Sequence, residues 1–272
     1  MRSFSSLLRP PEATTSGQFL PALSHSRMSM TYLPRQQLCG FLVAVLLLFA
    51  LSQRSTAQPD HAFGLYHYPV QLQPKEFRST LDIFMARAPE DILEEASFIR
   101  APLPTWDMRY GLPYDFQLTG AVTSIIITNH FAVGATWVYA FDRVHFEVGD
   151  RLAYWFGFLH SYGFDNTAHG WFNYPAVAVG YDFGSMAVTL RGELSIVTSL
   201  TTYAGDLETS TDNNFYNGGS LALMLEQPLW KDNYVTLGVR VNRVKFFYPT
   251  WLLFPTFNRY YYIPELILGI RL

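Results

Sequence analysis

The sequence is poor in cysteine and in charge. Its 272 residues contain one cysteine, Cys39, and only 15% of them are charged, whereas soluble chains average about 25%. A single cysteine excludes an internal disulfide and a multi-cysteine metal site. The sequence also lacks a phosphate-binding glycine motif, the spacing of zinc ligands and a nucleophile elbow. We therefore expect no metal and no cofactor.

Basic residues are scarce after the first 57 positions. Residues 1–57 carry five arginines and one glutamate. This leaves the remainder with 14 of the 19 Lys and Arg residues and 21 of the 22 Asp and Glu residues, a net charge of −7. Nucleic acid requires a basic face, so we expect no nucleic-acid partner.

One short apolar run stands near the N-terminus. The run GFLVAVLLLFAL covers residues 40–51 and follows Arg35. A membrane-spanning helix needs about 20 residues, whereas the apolar part of a secretory signal has about 7–15. Small residues precede a predicted cut between Ala57 and Gln58. A signal peptide is the preferred interpretation, and a short membrane anchor is the alternative.

The predicted cut separates two parts of the chain. Residues 1–57 hold an upstream extension and the signal peptide, and residues 58–272 form one mature domain. Met28 or Met30 would start a signal of normal length. The cysteine lies before the cut, so the mature chain has no thiol for catalysis.

The mature domain alternates apolar and polar residues with period two. The alternation is clearest in MAVTLRGEL (186–194), in YVTLGVRVN (234–242) and in the last stretch of the chain, 262–272. This period indicates β-strands with two different faces. The polar face repeatedly carries Arg, Glu and Asn, while the other face is aliphatic or aromatic.

Two architectures fit these strands: a soluble sandwich with an apolar core, and a transmembrane barrel with an apolar exterior. Aromatic residues at the strand ends and glycines on the polar face favour the barrel. We predict an all-β, antiparallel, up-and-down transmembrane barrel of about ten strands, with 8–12 as the range. The residues expected to line its lumen are Gln117, Thr119, Thr189, Arg191, Glu193, Thr236, Arg240, Asn242, Glu265 and Arg271.

The predicted connections alternate between short and long. Short turns are expected near 112–114, 142–149, 182–185 and 228–233. Longer segments are expected near 87–104, 160–174, 200–217 and 247–258, with helical turns at 89–97. Outer-membrane barrels have short periplasmic turns and long external loops, so both ends of the domain should lie at the periplasmic side.

At the level of architecture, residues 58–272 resemble the outer-membrane β-barrel proteins of diderm, Gram-negative bacteria. The resemblance rests on the signal peptide, the alternating strands and the C-terminal strand. It implies outer-membrane lipid, periplasmic chaperones and the barrel-assembly machinery as partners, and leaves the oligomeric state open. One departure is the final residue, since such proteins usually end in Phe or Trp and this chain ends in Leu272.

Some barrels similar to this one are rim enzymes: proteases with Asp–Asp and Asp–His pairs, and lipid A acyltransferases or deacylases with Ser, His and an acid. The nearest residues here are His160, Ser161, Asp165 and His169. Such chemistry needs a histidine base near the nucleophile or a water, oriented by a carboxylate. All four residues fall in one predicted loop, so a solvated loop is the preferred interpretation.

The segment FFYPTWLLFPTFNRYYY, 246–262, is unusually apolar for a long connection. It could form a gate or ligand-binding lip, a contact between protomers, or strand ends in the membrane interface. The aromatic residues expected at the interfaces are Trp171, Phe172, Phe246, Phe247, Tyr248, Tyr260, Tyr261 and Tyr262.

The predicted function is that of a non-enzymatic barrel in the bacterial outer membrane. It would serve as a structural element of the cell envelope or as a narrow, porin-like channel that passes small or apolar solutes. The inward charges would either select solutes or pair with one another to fill the lumen. Two alternatives stay open: a rim enzyme that acts on lipid A or peptides, and a soluble secreted β-barrel that binds an apolar ligand.

Overall fold

A computed structural model describes residues 65–87, 100–161, 164–230, 233–253 and 259–271. The predicted signal peptide and the predicted helical turns at 89–97 lie outside these residues. The described strands are β1 (Phe77–Arg87), β2 (Arg100–Gly111), β3 (Phe116–Ile125), β4 (Thr128–Phe141), β5 (Val144–Ser161), β6 (Phe164–Asn173), β7 (Ala176–Asp182), β8 (Ala187–Ala204), β9 (Leu207–Trp230), β10 (Asn233–Val244) and β11 (Tyr261–Arg271). A short 3₁₀ segment spans Tyr248–Leu253.

The strands form one closed antiparallel barrel. Each strand from β1 to β5 pairs with the next, β8 to β11 do the same, and β11 pairs with β1. Both β6 and β7 pair with β5 and with β8. Between the end of β6 and the start of β7, Arg151 of β5 exchanges backbone hydrogen bonds with Tyr174, and Leu194 of β8 donates one to the carbonyl of Pro175. Strands β6 and β7 therefore share one strand position of the barrel wall, and each such position is here called a stave. The eleven described strands form ten staves, so the predicted barrel of ten antiparallel strands is confirmed.

Strand β11 shows how the sequence builds the wall. Ile263 and Ile267 are fully buried, whereas Leu268 and Ile270 are exposed. Successive side chains of a strand point to opposite faces, so the buried set points into the barrel and the exposed set points outward. An apolar exterior is stable against lipid. The closed barrel also leaves no unpaired strand edge in the membrane.

Two predicted loops are strands instead. The segment 160–174 contains all of β6, and 200–217 contains the end of β8 and the start of β9. Strand β6 pairs with β8 from Asn166↔Ala204 to Asn173↔Ile196. The β5–β6 and β8–β9 hairpins are therefore paired strands that extend further along the barrel axis than the short β3–β4 turn. Their threonines, asparagines and aspartates obscure the period-two pattern, because both faces of a strand above the membrane can be polar.

The predicted turn at 142–149 exists but is shorter, because only Asp142 and Arg143 form it and β5 pairs with β4 from Val144 onward. Residues 105–111 belong to β2. The turns after β2, β4, β7 and β9 all lie at the barrel end where β1 starts and β11 ends. This end is the periplasmic end of the predicted orientation.

A cluster of buried aromatic and aliphatic residues fills the opposite, outer end of the barrel. It includes Trp155, Phe172, Phe246 and Trp251, with Trp155 fully buried. Trp155 meets Phe246 edge to face at 5.3 Å between ring centroids. Among the described residues, no helix is long and apolar enough to cross a membrane.

Candidate functional site

The residues before β1 fold into the barrel lumen, and residues 65–76 are here called the inner plug. The carboxylate of Glu226, on the inner face of β9, accepts three backbone N–H groups of the plug. These come from Tyr66 at 2.7 Å, His67 at 3.0 Å and Tyr68 at 2.6 Å. Hydrogen bonds to a charged acceptor are among the strong ones, so one carboxylate fixes three successive residues.

Side chains of β1 and β3 and a glycine of β7 also contact the inner plug. Arg78 donates to the carbonyl of Leu65 at 2.9 Å, and Gln117 donates to the carbonyl of Val70. The ring of Tyr68 lies against Gly180, where a Cβ atom would come within 2.5 Å of it. The glycine on the inner face therefore provides the space that the plug occupies.

His67 forms the charged contact of the inner plug. Its Nε2 lies 3.1 Å from Oδ2 of Asp82 on β1, although the two atoms are not aligned as a hydrogen bond. Burial alone lowers the pKa of His67, but the carboxylates of Asp82, Glu226 and Asp107 favour the protonated ring and raise its pKa overall. The contact is therefore strongest when the imidazole is charged.

Above the plug, a chain of ion pairs crosses the lumen. Arg109 on β2 lies 2.6 Å from Glu147 on β5, and Glu147 lies 2.9 Å from Arg191 on β8. On the same side, Glu193 of β8 lies 2.6 Å from Arg151 of β5. Each of these groups is at least four-fifths buried. Three separate staves are thus connected through the interior.

Two weaker pairs extend this network. Arg151 also lies 3.8 Å from Asp107 of β2, and Arg240 of β10 lies 3.5 Å from Glu265 of β11. The guanidinium of Arg240 stands 4.7 Å from the ring centroid of Phe84. The inward charges are therefore paired across the lumen, which favours the predicted filled interior over a ring of one sign.

Residues 245–253, which follow β10, close the outer end of the lumen and are called the outer segment. The side chain of Asn217 bonds both the N–H and the carbonyl of Phe246, at 2.7 and 2.9 Å. The indole of Trp251 donates to the carbonyl of Ile127 at 3.2 Å. The Tyr248 ring stacks on His130 at 4.5 Å, and burial raises the pKa of Tyr248 to about 12.

A cavity of about 140 Å³ lies between the inner plug and the outer segment. Aromatic rings of β6 and the outer segment form its upper wall, and the ion pairs form its lower wall. Four buried polar atoms of the residues that line the cavity make no hydrogen bond to the part of the chain that the structure describes: His67 Nε2, Thr119 Oγ1, His130 Nε2 and Arg151 Nε. Unpaired buried polar groups are costly, so these atoms can bond a polar group in the cavity.

All ten residues expected to line the lumen lie on the inner strand faces. Most are buried, and Arg271 at the end of β11 is partly buried. Sequence reasoning missed Asp107, Arg109, Glu147 and Arg151, which complete the network. The missed signal is charge at alternate positions, as in Asp107 and Arg109, and Glu147 lies in a stretch predicted as a turn.

The aromatic residues expected at the interfaces separate into two groups. Trp171 and Tyr262 are exposed on the outer face, and Tyr260 lies 4.3 Å below the guanidinium of Arg243. The others point inward and are buried or half-buried, so they do not face lipid: Phe172, Phe246, Phe247, Tyr248 and Tyr261. Both lipid and this lumen accept aromatic rings, so composition alone does not distinguish these positions.

The candidate rim residues are only partly brought together. His160 Nε2 lies 2.9 Å from Asp165 Oδ1 across the β5–β6 hairpin, and both side chains are well exposed. His169 lies elsewhere, stacked on Tyr203 at 5.9 Å. The side chain of Ser161 lies outside the described part of the structure. No group of three potential metal ligands occurs among the described residues.

The sequence matches no family profile and no curated protein. Solved structures do match. The translocator domain of the autotransporter NalP from Neisseria meningitidis is 11% identical, with a TM-score of 0.39, over 73% of this chain and 88% of that one. The KdgM porin is 13% identical, with a TM-score of 0.32, over 71% and 97%. The outer membrane phospholipase A from Escherichia coli is 11% identical, with a TM-score of 0.32, over 78% and 95%.

This chain is similar in fold to these three structures, which are a translocator domain, a porin and an outer membrane phospholipase. The fold and the apolar exterior define an outer-membrane β-barrel. The role of this protein therefore has to be inferred from the residues inside the lumen.

Proposed function

We propose that this protein is a gated outer-membrane barrel that binds a small, neutral, amphipathic solute in its lumen and passes it across the membrane. The observation that carries the proposal is the cavity between the inner plug and the outer segment. Its lining combines aromatic rings with unpaired polar atoms. A mixed lining of this kind is typical of sites for small molecules.

The size of the cavity supports a ligand of about one ring. An engineered apolar cavity of about 150 Å³ binds benzene, and the cavity here measures about 140 Å³. The rings of Phe172 and Phe247 would contact the apolar part of such a ligand. Thr119 and His130 would bond a hydroxyl or carbonyl group on it.

The charges around the cavity support a neutral ligand. Its lining contains four arginines and four acidic residues: Arg109, Arg151, Arg191, Arg240, Asp107, Glu147, Glu193 and Glu265. A charged ligand would have to disrupt these pairs and leave one partner buried without compensation, which is strongly unfavourable. A neutral ligand leaves the network intact.

Gating follows from the two closures. The inner plug and the outer segment both lie inside the lumen, so a solute cannot cross along the barrel axis until both of them move. Purified protein in a planar bilayer is therefore expected to show no steady conductance. Steady open steps in the wild-type protein would contradict a gated barrel and support the narrow-channel alternative.

Binding can be measured by ¹⁹F NMR with 4-fluorobenzyl alcohol and the protein in lipid nanodiscs. We expect saturable binding of this neutral probe and none of 4-fluorobenzoate, which is charged. Ala121→Phe fills the cavity from the inner face of β3 and should abolish binding. Ala135→Phe, on the outer face of β4, is the matched control. Equal binding by both variants, or by both probes, would refute the proposed site.

The contact between His160 and Asp165 is the one observation that favours the alternative of a rim enzyme. A histidine paired with a carboxylate can act as a general base. If the rim is catalytic, His160→Ala should remove hydrolysis of lipid A or peptide substrates, whereas a barrel of the kind proposed has no such activity to lose.

We further propose that the chain reaches the outer membrane through the secretory pathway, with cleavage near Ala57, and is inserted by periplasmic chaperones and the barrel-assembly machinery. The exposed apolar exterior of the barrel supports this assignment over a soluble secreted protein. Recovery of the mature protein in a detergent-free soluble fraction would contradict it. N-terminal sequencing of the mature protein would locate the cut.

A further inference from the structure

A second concave surface lies on the lipid-facing side of the barrel and is called the lateral groove. It has a volume of about 750 Å³ and crosses β5, β7, β8, β9 and β10. Its outward side chains are mainly small or aliphatic: Val148, Val177, Gly192, Leu194, Leu221 and Val241. Such a surface is suited to an apolar molecule dissolved in the membrane.

The lateral groove and the luminal cavity share part of the barrel wall. Four residues line both of them: Glu193, Leu194, Gly219 and Ser220. The first two belong to β8 and the last two to β9, and the strands pair there as Leu194↔Gly219 and Glu193↔Ser220. One layer of chain with little side-chain bulk therefore separates the cavity from the lipid-facing groove.

The hydrogen-bond ladder is interrupted at the same point. Leu194 donates its N–H to the carbonyl of Pro175 at 2.9 Å, but proline has no N–H to return the bond to Leu194. This is where β6 ends and β7 begins. An unreturned ladder bond lowers the cost of separating β8 from this stave.

A second irregularity stands one residue further along β8. The register between β8 and β9 shifts between Ser195 and Ile196, so that Asn217 is the extra residue on β9. The next residue, Gly218, has a φ of 136°, which L side chains rarely adopt. The wall is thus irregular on both sides of β8 at the place where the groove and the cavity meet.

The outer face at this point also carries a charge. Asp150 of β5 lies between Arg151 and Gly149, whose partners are Tyr174 and Ala176, so it stands opposite Pro175. Its side chain is exposed on the lipid-facing side. A carboxylate is unfavourable in lipid. Next to the interrupted hydrogen-bond ladder at Pro175, however, it can bond a polar group of a passing ligand.

We propose that the lateral groove is a portal through which the neutral, amphipathic ligand exchanges between the membrane and the luminal cavity. The inference rests on the proposed function, since it names the route to the same site. Both axial routes are closed by the inner plug and the outer segment. The groove offers an apolar path and shares part of its wall with the cavity, so the ligand moves sideways through the wall beside β8, where the pairing is irregular on both sides of that strand.

Gly192→Leu tests the portal. A Cβ atom at Gly192 meets only Val177, at 3.9 Å, so a leucine there fits without strain and fills the groove. Gly120→Leu is the matched control. It makes the same change on the outer face of β3, away from the groove, where a Cβ atom meets its nearest neighbour, Met108, at 3.5 Å.

The measurement is ¹⁹F exchange spectroscopy of 4-fluorobenzyl alcohol in nanodiscs with wild-type protein and both variants. We expect Gly192→Leu to slow association and dissociation together by about tenfold, with the dissociation constant unchanged. Gly120→Leu should exchange as the wild type does. Equal exchange in all three proteins, or equal slowing in both variants, would overturn the portal and leave the binding site standing. No bound signal in the wild type would refute the binding site and the portal together.

Discussion

The inner plug and the outer segment close opposite ends of one lumen, but different interactions hold them. The plug is fixed by hydrogen bonds and charge, most of all by Glu226 and its three backbone donors. The outer segment is fixed mainly by rings, such as Trp251 against Trp155 at 5.9 Å. Directional bonds allow one arrangement, whereas aromatic contacts tolerate small shifts.

This difference suggests a division of labour between the two ends. The polar end keeps a fixed seal, since breaking a buried charged contact leaves unpaired groups. The aromatic end can adjust around a bound ring without losing a hydrogen bond. We therefore expect the two closures to open independently, and the following changes test that expectation, starting with the largest effect.

Deletion of Leu266 to Leu272 should abolish both closures at once. Strand β11 pairs with β1 over seven residue pairs, from Thr80↔Arg271 to Ala86↔Glu265, and its loss opens the barrel along two strand edges. Unpaired backbone groups in lipid cost several kcal/mol each. The measurement is heat-modifiable migration of membrane fractions. Normal insertion of the truncated chain would contradict the whole architecture.

Glu226→Ala should release the inner plug alone. Three buried N–H groups lose their acceptor, at a cost of about 4 kcal/mol. Hydrogen exchange of residues 65–76 should rise while that of residues 245–253 stays unchanged. The control is Glu208→Ala on the exposed part of β9. Coupled loosening of both closures would refute their independence.

Trp251→Ala should loosen the outer segment alone. It removes a buried ring and its bond to Ile127, which costs about 3 kcal/mol. Hydrogen exchange should now rise at residues 245–253 and stay unchanged in the plug. Trp137→Ala, on the outer face of β4, serves as the control. A rise confined to the plug would reverse the comparison.

The inner plug should be bound less strongly within the lumen as the pH rises. The pKa of His67 is raised above its ordinary value of 6.5 in the folded protein. The protonated form therefore adds stability that is fully present below pH 6.5 and is lost as the pH rises through the folded pKa. The protection factor of the plug amides, which corrects for the intrinsic pH dependence of exchange, should fall over that interval in the wild type and stay constant in His67→Gln. Weakening toward acid would contradict the contact with Asp82.

The barrel itself was predictable because one physical constraint repeats along the chain. Each strand has lipid on one side and the lumen on the other, so Arg191 and Glu193 alternate with Leu190 and Leu194. The same constraint fails where lipid ends. In the β8–β9 hairpin both faces contact water or protein, and the period-two signal that separates strand from loop is lost.

The closures were not predictable for a different reason. The three donors of the inner plug are backbone groups, which every sequence has, and their acceptor lies 160 residues from Tyr66. The outer segment is apolar, and an apolar segment suits lipid as well as a lumen. Only the fold of the whole chain decides whether this segment contacts lipid or fills the lumen. The inner charges of β11 and β10 were easier, since Glu265 and Arg240 each interrupt an aliphatic strand.

The position of the inner plug ahead of β1 has a consequence for how the molecule is made. The plug is synthesised before the described strands and β11 after the other ten, yet β11 completes the wall that surrounds the plug. We expect the plug to enter before the seam with β1 is sealed, because Glu226 on β9 can bind it before that moment. Contacts this distant in sequence form slowly. The last seam would then fix in place a segment that precedes every described strand of the barrel.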